Sequence, residues 1–154
     1  MKNITIFGMV VLCVAIIVTA GCSSTEKLSS SDQAVKDKIS EIQTGLDPLL
    51  GNYQKAMQAH DLAGARSSSV AVQQYIDENL PVMTQVAQNA TTKQNAGMDY
   101  ALALTDVRYA MNKTITGADE YEKGNVNEGI ALWNSGVEDF ANATSLIKKV
   151  KSEL

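Results

Sequence analysis

The chain of 154 residues carries 17 acidic and 13 basic side chains, which give it a net charge of -4 at pH 7. Such a mildly acidic protein offers no basic surface that could release counterions from a phosphate backbone, so its charge argues against nucleic acid as a partner. Two prolines, 5% aromatic residues and many alanines favour helices over sheets, and the length is enough for one domain with its own core.

The beginning of the chain has the pattern of a secretory signal. Lys2 is followed by an uncharged apolar run, residues 4–18, and then by the small residues that flank a cleavage site. An uncleaved membrane anchor is the alternative interpretation. However, the run of 15 residues is shorter than the roughly 20 that a spanning helix needs.

The motif Thr19-Ala20-Gly21-Cys22 resembles the lipobox of prokaryotic lipoprotein precursors, bacterial or archaeal, with Thr19 standing where Leu, Val or Ile is usual. The resemblance implies that the Cys22 sulfur receives a diacylglycerol and that residues 1–21 are removed as a signal peptide. The mature protein would then be anchored by lipid on the extracytoplasmic side of the cell membrane, or of the outer membrane in a host that has one. Because Cys22 is the only cysteine of the mature chain, no intramolecular disulfide is expected.

Residues 22–31 are rich in Ser, Thr, Glu and Lys, and we expect them to form a flexible tether between the lipid and a domain of residues 32–154. In this domain apolar residues recur at alternating spacings of four and three, which is the pattern of packed amphipathic helices and not of strands. Four such seams follow one another. The seams of the first and fourth helices are Val35, Ile39, Ile42, Leu46, Leu49, Tyr53, Ala56 and His60, and Val126, Ile130, Trp133, Val137, Phe140, Thr144 and Ile147.

The boundaries between the seams carry helix-capping signals. Asp61 is expected to cap the second helix, and Gly124 to follow the third. Capping boxes or their analogues are expected at the other helix starts: Ser30 with Gln33, Thr91 with Gln94, and Asn125 with Glu128. The joints are only a few residues long, so consecutive helices must run antiparallel. The sequence therefore predicts an all-α fold, an up-down-up-down four-helix bundle of long helices with left-handed heptad packing.

A stripe of small residues lies beside each of the last two seams, at a spacing of seven. The stripes are Ala96, Ala103, Ala110 and Gly117 in the third helix, and Gly129, Gly136 and Ala143 in the fourth. Small side chains at one heptad position allow two backbones to approach closely. The stripes therefore predict close packing of the third and fourth helices, although the abundance of alanine in the chain is an alternative explanation.

Two prolines fall inside the predicted helices, where proline removes one backbone hydrogen bond and clashes with the preceding turn. Around Pro48 the seam stays in phase, which indicates a kink, and a break with Asp47 capping a new helix is the competing interpretation. Near Pro81 the seam loses its register, which indicates a true interruption of the second helix.

Motifs that carry chemistry are missing from the sequence. The single histidine, His60, is predicted to be a partly buried residue at the end of the bundle, and no Glu-x-x-His, CxxC or HExxH motif occurs. We therefore expect no catalytic residue, no metal and no cofactor. Three N-x-[ST] sequons in the mature chain are candidate glycosylation sites, at Asn89, Asn112 and Asn142.

The sequence favours a lipid-anchored extracytoplasmic helical protein that is not an enzyme and has a binding or structural role at the cell envelope. Its expected partners are the membrane, through the lipid on Cys22, and an envelope protein. The alternative is a small-ligand carrier or a sensor-type bundle, in which helix kinks shape a pocket. The polar and aromatic residues that would line this pocket are Tyr53, His60, Tyr100 and Trp133. The oligomeric state does not follow from the sequence.

Overall fold

The computed structural model describes residues 28–154, which form four helices and, within this range, no strand. The helices are α1 (Ser30–Gln58), α2 (Leu62–Gln88), α3 (Gln94–Glu122) and α4 (Val126–Glu153). This confirms the predicted all-α four-helix bundle. The predicted signal peptide, Cys22 and most of the tether lie outside the described residues.

Polar contacts between the helices show that each helix runs antiparallel to the next. Three of them join an early residue of one helix to a late residue of its neighbour: Lys38 to Asn79, Arg66 to Asp119, and Asp99 to Lys149. Two more join central parts of neighbouring helices: Arg108 to Asp77 and Lys113 to Asp139. The topology is therefore up-down-up-down, as the short joints predict.

The predicted close packing of α3 and α4 is confirmed, because every residue of the two small-residue stripes is buried. A Cβ atom added at Gly129 would lie 2.7 Å from the backbone oxygen of Gly117, and one added at Gly136 would lie 3.3 Å from that of Ala110. The two helices thus meet backbone to backbone, with little space left for side chains between them.

This packing turns part of the predicted seam of α4 away from α3. Successive residues of a helix point about 100° apart, so a helix that buries Gly129 and Gly136 against α3 directs Val137 to a different side. Val137 is 37% exposed and Val126 is 41% exposed, while Phe140 is half-buried. All residues of the α4 stripe are buried, whereas only Trp133 and Ile147 of the α4 seam are.

Neither proline interrupts its helix, so the predicted interruption at Pro81 is wrong, as is the alternative of a break at Pro48. Both prolines lie on the exposed side of their helices. The carbonyls that each proline deprives of a partner belong to Thr44 and Asp77, four residues earlier, which are exposed as well. Water can bind these carbonyls, and each helix continues.

Helix capping agrees with the sequence at one of four helix starts. The Asp61 carboxylate accepts a hydrogen bond from the backbone N–H of Gly64 at 2.9 Å, as predicted. Helix α1 is capped by Ser29 instead of Ser30. The N-cap residues of α3 and α4 are Lys93 and Asn125, and neither side chain forms a capping hydrogen bond. The backbone N–H groups of the joint before α3 are bound by a residue of α1, described below.

Candidate binding groove between the first and last helices

On one side of the bundle, here called the open side, the helix backbones stand apart, although side chains fill most of the space between them. In a closed four-helix bundle α1 and α4 would be neighbours, but no Cα atom of α1 lies within 8 Å of a Cα atom of α4. Helix α3 approaches each of the other three helices within this distance. The result is a groove with α1 and α4 as its walls and α3 as its floor.

The groove is mainly apolar, with polar residues at its rim. Its lining residues are Gln43, Leu46, Asp47 and Leu50 from α1, Tyr100, Ala103, Leu104 and Val107 from α3, and Phe140, Ala143, Thr144 and Ile147 from α4. The enclosed part has a volume of about 20 Å³, which is room for one water molecule. In this conformation the groove is a cleft between helices and not a chamber for a small molecule.

An aromatic pair bridges the two walls near one end of the groove. The ring centroids of Tyr53 on α1 and Phe140 on α4 lie 6.0 Å apart. The Thr114 hydroxyl donates to the backbone oxygen of Ala110, so it accepts from the Tyr53 hydroxyl at 3.1 Å. Burial raises the pKa of Tyr53, which keeps its hydroxyl protonated and able to donate this bond.

The four predicted pocket residues do not line one cavity. Tyr100 forms part of the groove floor, and Tyr53 bridges its end. Trp133 stacks on Tyr121 and donates from Nε1 to the backbone oxygen of Thr114 at 3.3 Å. The structure thus brings Tyr53 and Trp133 to the same turn of α3. Tyr100 lies 14 residues earlier in α3, about 21 Å along its axis.

His60 lies apart from the other three, in the turn between α1 and α2. The prediction of a partly buried histidine is wrong, because α1 ends at Gln58 and His60 is exposed with a φ of 55°. This left-handed conformation reverses the chain direction before α2 begins. The three predicted glycosylation sites, Asn89, Asn112 and Asn142, are exposed as well.

Sequence reasoning missed a buried carboxylate, Asp32, at the opposite end of the bundle from His60. Its Oδ1 accepts hydrogen bonds from the backbone N–H groups of Thr91, Thr92 and Lys93 at 3.0, 2.8 and 2.9 Å. Its Oδ2 accepts from the hydroxyls of Ser29 at 2.7 Å and Thr92 at 3.0 Å. The bond from Ser29, together with those from the backbone, holds the pKa of Asp32 well below its usual range, although burial opposes this.

The Asp32 contacts attach the start of α1 to the joint between α2 and α3, and they occupy N–H groups that precede α3. An aspartate in the first turn of a helix is an ordinary capping residue in a sequence. Nothing in its position along the chain signals that it binds the joint between two other helices.

Within residues 28–154, no group of three or more His, Cys, Asp and Glu side chains is arranged to hold a metal ion. Among the helices of the same residues, none is both long and apolar enough to cross a membrane. Comparisons of the chain with protein-family models, with curated proteins and with solved structures found no match.

Proposed function

We propose that this protein is a lipid-anchored, extracytoplasmic helical module that binds an envelope protein and does not catalyse a reaction. The signal-like N-terminus and the lipobox-like Thr19-Ala20-Gly21-Cys22 support the location. The polar residues that follow Cys22 provide a tether between the lipid and the bundle. The open side of the bundle supports the binding role.

The single observation that supports the proposed binding role most is that part of the apolar seam of α4 remains exposed to solvent. Val137, Phe140 and Thr144 lie on one line of α4 and remain partly exposed, because the backbone of α1 stays more than 8 Å away and only its Tyr53 side chain reaches Phe140. Exposed apolar surface that faces a cleft is typical of interaction sites. A partner helix lying across the mouth of the groove would cover this line.

The proposed partner element is therefore an amphipathic helix of another envelope protein, bound along the mouth of the groove with its apolar side against the partly exposed residues of α4. The lining residues on α1 span positions 43–50, which is about 11 Å, or two helical turns. A small ligand is a weaker fit, because ligand pockets enclose roughly 300–1,000 Å³ and this cleft encloses about 20 Å³.

The chain offers a matched pair of variants for testing the anchor. Both cysteines precede the described helices, and the lipobox resemblance assigns the lipid to Cys22 and not to Cys13. We expect Cys22→Ser to abolish incorporation of a labelled fatty acid and to leave either precursor or released protein. Cys13→Ser should be labelled and processed normally. A Cys22→Ser protein that remains in the membrane fraction at mature size would refute the lipid anchor.

A photo-crosslinking residue placed in living cells tests the groove as the binding site. Thr144 lines the groove, whereas Glu138 is exposed and lies about 120° away around the same helix. We expect a discrete crosslinked product from position 144, and expect it to disappear when Leu50 on the opposite wall is changed to Lys. Equal products from positions 138 and 144 would show that the groove has no special role.

A further inference from the structure

Three polar side chains that line the groove have no hydrogen-bond or ion-pair partner among residues 28–154. Gln43 is 9% exposed and Tyr100 is 1% exposed, yet no described residue binds the Gln43 amide or the Tyr100 hydroxyl. Asp47 is exposed one turn after Gln43 on α1, and no lysine or arginine of the described residues pairs with it. Because nearly all buried polar groups of native proteins are hydrogen-bonded, unpartnered groups around a cleft indicate a binding site.

The Tyr100 hydroxyl lies within the electrostatic range of the Asp47 carboxylate. Burial raises the pKa of Tyr100 strongly, and Tyr75 and Asp47 raise it further. The carboxylate has this effect because a phenolate formed close to it would place two negative charges together. The Tyr100 hydroxyl therefore stays protonated, and its oxygen can accept a hydrogen bond in the neighbourhood of Asp47.

The groups around the cleft mainly accept hydrogen bonds. Asp47 is the only charged residue among the lining residues, and an ionised carboxylate is only an acceptor. On the opposite wall, the Thr144 hydroxyl donates to the backbone oxygen of Phe140 at 2.8 Å, so toward the cleft it can only accept. The Gln43 carbonyl and the Tyr100 oxygen can accept as well. An occupant that satisfies these groups must donate several hydrogen bonds and carry positive charge.

The size of the cleft selects among the cations that protein side chains offer. Its enclosed volume of about 20 Å³ is room for one water molecule. A lysine ammonium group is compact and has three donors on a flexible apolar stem, whereas an arginine guanidinium is a wide planar group with five donors. The ammonium group fits this volume, and its apolar stem can lie against Leu46 and Phe140 on the two walls.

We propose that the groove binds the ammonium group of a lysine side chain, which belongs to the partner helix and is held by Asp47, Gln43 and Tyr100. This proposal rests on the proposed function, because it assumes a partner helix across the mouth of the groove. It adds a chemical requirement for that helix, namely a lysine among the apolar residues that cover Val137 and Phe140. The lysine reaches down from the mouth, so the partner helix itself does not have to enter the narrow cleft.

Titration with a small amine tests the ammonium site without any partner. The protein would be the chain from residue 22 with Cys22→Ser, which retains all four helices, labelled with nitrogen-15 for NMR spectroscopy. We expect n-butylammonium chloride, added at constant ionic strength, to shift the side-chain amide signal of Gln43 and to saturate with a dissociation constant on the order of 1–10 mM. Gln43→Leu assigns this signal by its loss. The uncharged n-butanol and the larger n-butylguanidinium should each bind at least about tenfold more weakly.

A matched pair of aspartates on α1 tests the role of Asp47. Asp37 is exposed like Asp47 but is not among the lining residues. Asp47→Asn should weaken the binding of n-butylammonium about tenfold, because a hydrogen bond between two charged groups is lost. Asp37→Asn makes the same charge change and should weaken it less than about twofold. Tyr100→Phe keeps the ring and should weaken it roughly threefold.

Crosslinking in living cells tests whether the ammonium group comes from the partner. A photo-crosslinking residue at Val137 lies on the exposed line of α4 but outside the residues that line the cleft. We expect its crosslinked product to decrease at least about fivefold with Asp47→Asn and to stay unchanged with Asp37→Asn. If neither position 137 nor position 144 gives a product, the partner helix is refuted, and amine binding by the purified chain would then assign the site to a free amine.

Equal binding of n-butanol and n-butylammonium would overturn the proposal, as would an equal loss of affinity in Asp37→Asn and Asp47→Asn. Ammonium chloride that shifts the Gln43 signal as strongly as n-butylammonium at the same concentration would show that the cleft holds a free ion and not the end of a side chain. A product from position 137 that Asp47→Asn leaves unchanged would show that the partner does not use this site.

Discussion

The close approach of α3 and α4 makes a quantitative prediction about three glycines. A Cβ atom at Gly129 would lie 2.7 Å from the Gly117 backbone oxygen, and one at Gly136 would lie 3.3 Å from the Ala110 oxygen. At Gly51 in α1, an added Cβ would have no atom within 4 Å. Substitution by alanine therefore introduces the same methyl group into a tight site, an intermediate site and an open one.

The expected free energies follow from two opposing effects. Alanine in place of glycine inside a helix stabilises it by about 1 kcal/mol. This should be the whole effect of Gly51→Ala, and should raise the melting temperature by about 3–5 °C. At Gly129 the methyl group must displace a backbone, and overpacking of this kind costs about 1–3 kcal/mol. Gly129→Ala should therefore be about 1–3 kcal/mol less stable than Gly51→Ala, with Gly136→Ala between them.

Urea and thermal unfolding monitored by circular dichroism would give the ranking, and fluorescence would give an independent signal. Trp133 stacks on Tyr121, and an added Cβ at Gly129 would lie 3.4 Å from the Tyr121 Cβ. Gly129→Ala should shift the Trp133 emission, and Gly51→Ala should not. Equal stabilisation by both substitutions would refute the backbone-to-backbone packing of α3 and α4.

Three further predictions concern single polar groups. The pKa of Asp32 is lowered in the folded protein, so its stabilising effect should be complete above the unfolded pKa of about 4 and should be lost as the pH falls below it. The difference in melting temperature between wild type and Asp32→Asn should therefore be largest near neutral pH and shrink in acid. A difference that stays constant from neutral to acid pH would contradict the buried carboxylate. Ser69 is buried with no hydrogen-bond partner for its hydroxyl, so Ser69→Ala should increase the unfolding free energy by about 1 kcal/mol in urea titrations, and a loss of stability would disprove this. Tyr53→Phe removes the bond to Thr114 and should decrease the unfolding free energy by about 0.5–1.5 kcal/mol, whereas an unchanged value would show that this bond does not contribute.

The sequence predicts the helices and their order well, because heptad spacing and short joints are properties of the chain itself. In α3 the small-residue stripe points inward together with larger apolar side chains, so Ala103 is buried beside Leu104 and on the same helix as buried Tyr100. In α4 the apolar seam and the small-residue stripe lie on different lines of the helix, and the sequence does not show which of them faces α3. The outcome depends on how closely two backbones approach, which is a tertiary property.

Sequence patterns could not predict the groove or the Asp32 site, for the same reason. The groove is a separation between two helices that a closed bundle would bring together, and its lining residues look like ordinary core positions. Asp32 binds backbone N–H groups of a joint some 60 residues later, and local capping rules do not predict such a contact. At Pro81 the error arises because hydropathy alone did not show that the proline faces solvent.

A disulfide test across the groove measures most directly whether α1 and α4 stand apart in solution. Asp47 and Thr144 lie on opposite walls, and their Cα atoms are more than 8 Å apart, beyond the roughly 7 Å limit for a disulfide. In a chain without other cysteines, Asp47→Cys with Thr144→Cys should therefore resist oxidation to a disulfide, while a longer bis-maleimide linker should join the same two thiols. Rapid and complete disulfide formation with an unchanged circular dichroism spectrum would show that the bundle closes, and would contradict the open groove on which the proposed binding role depends.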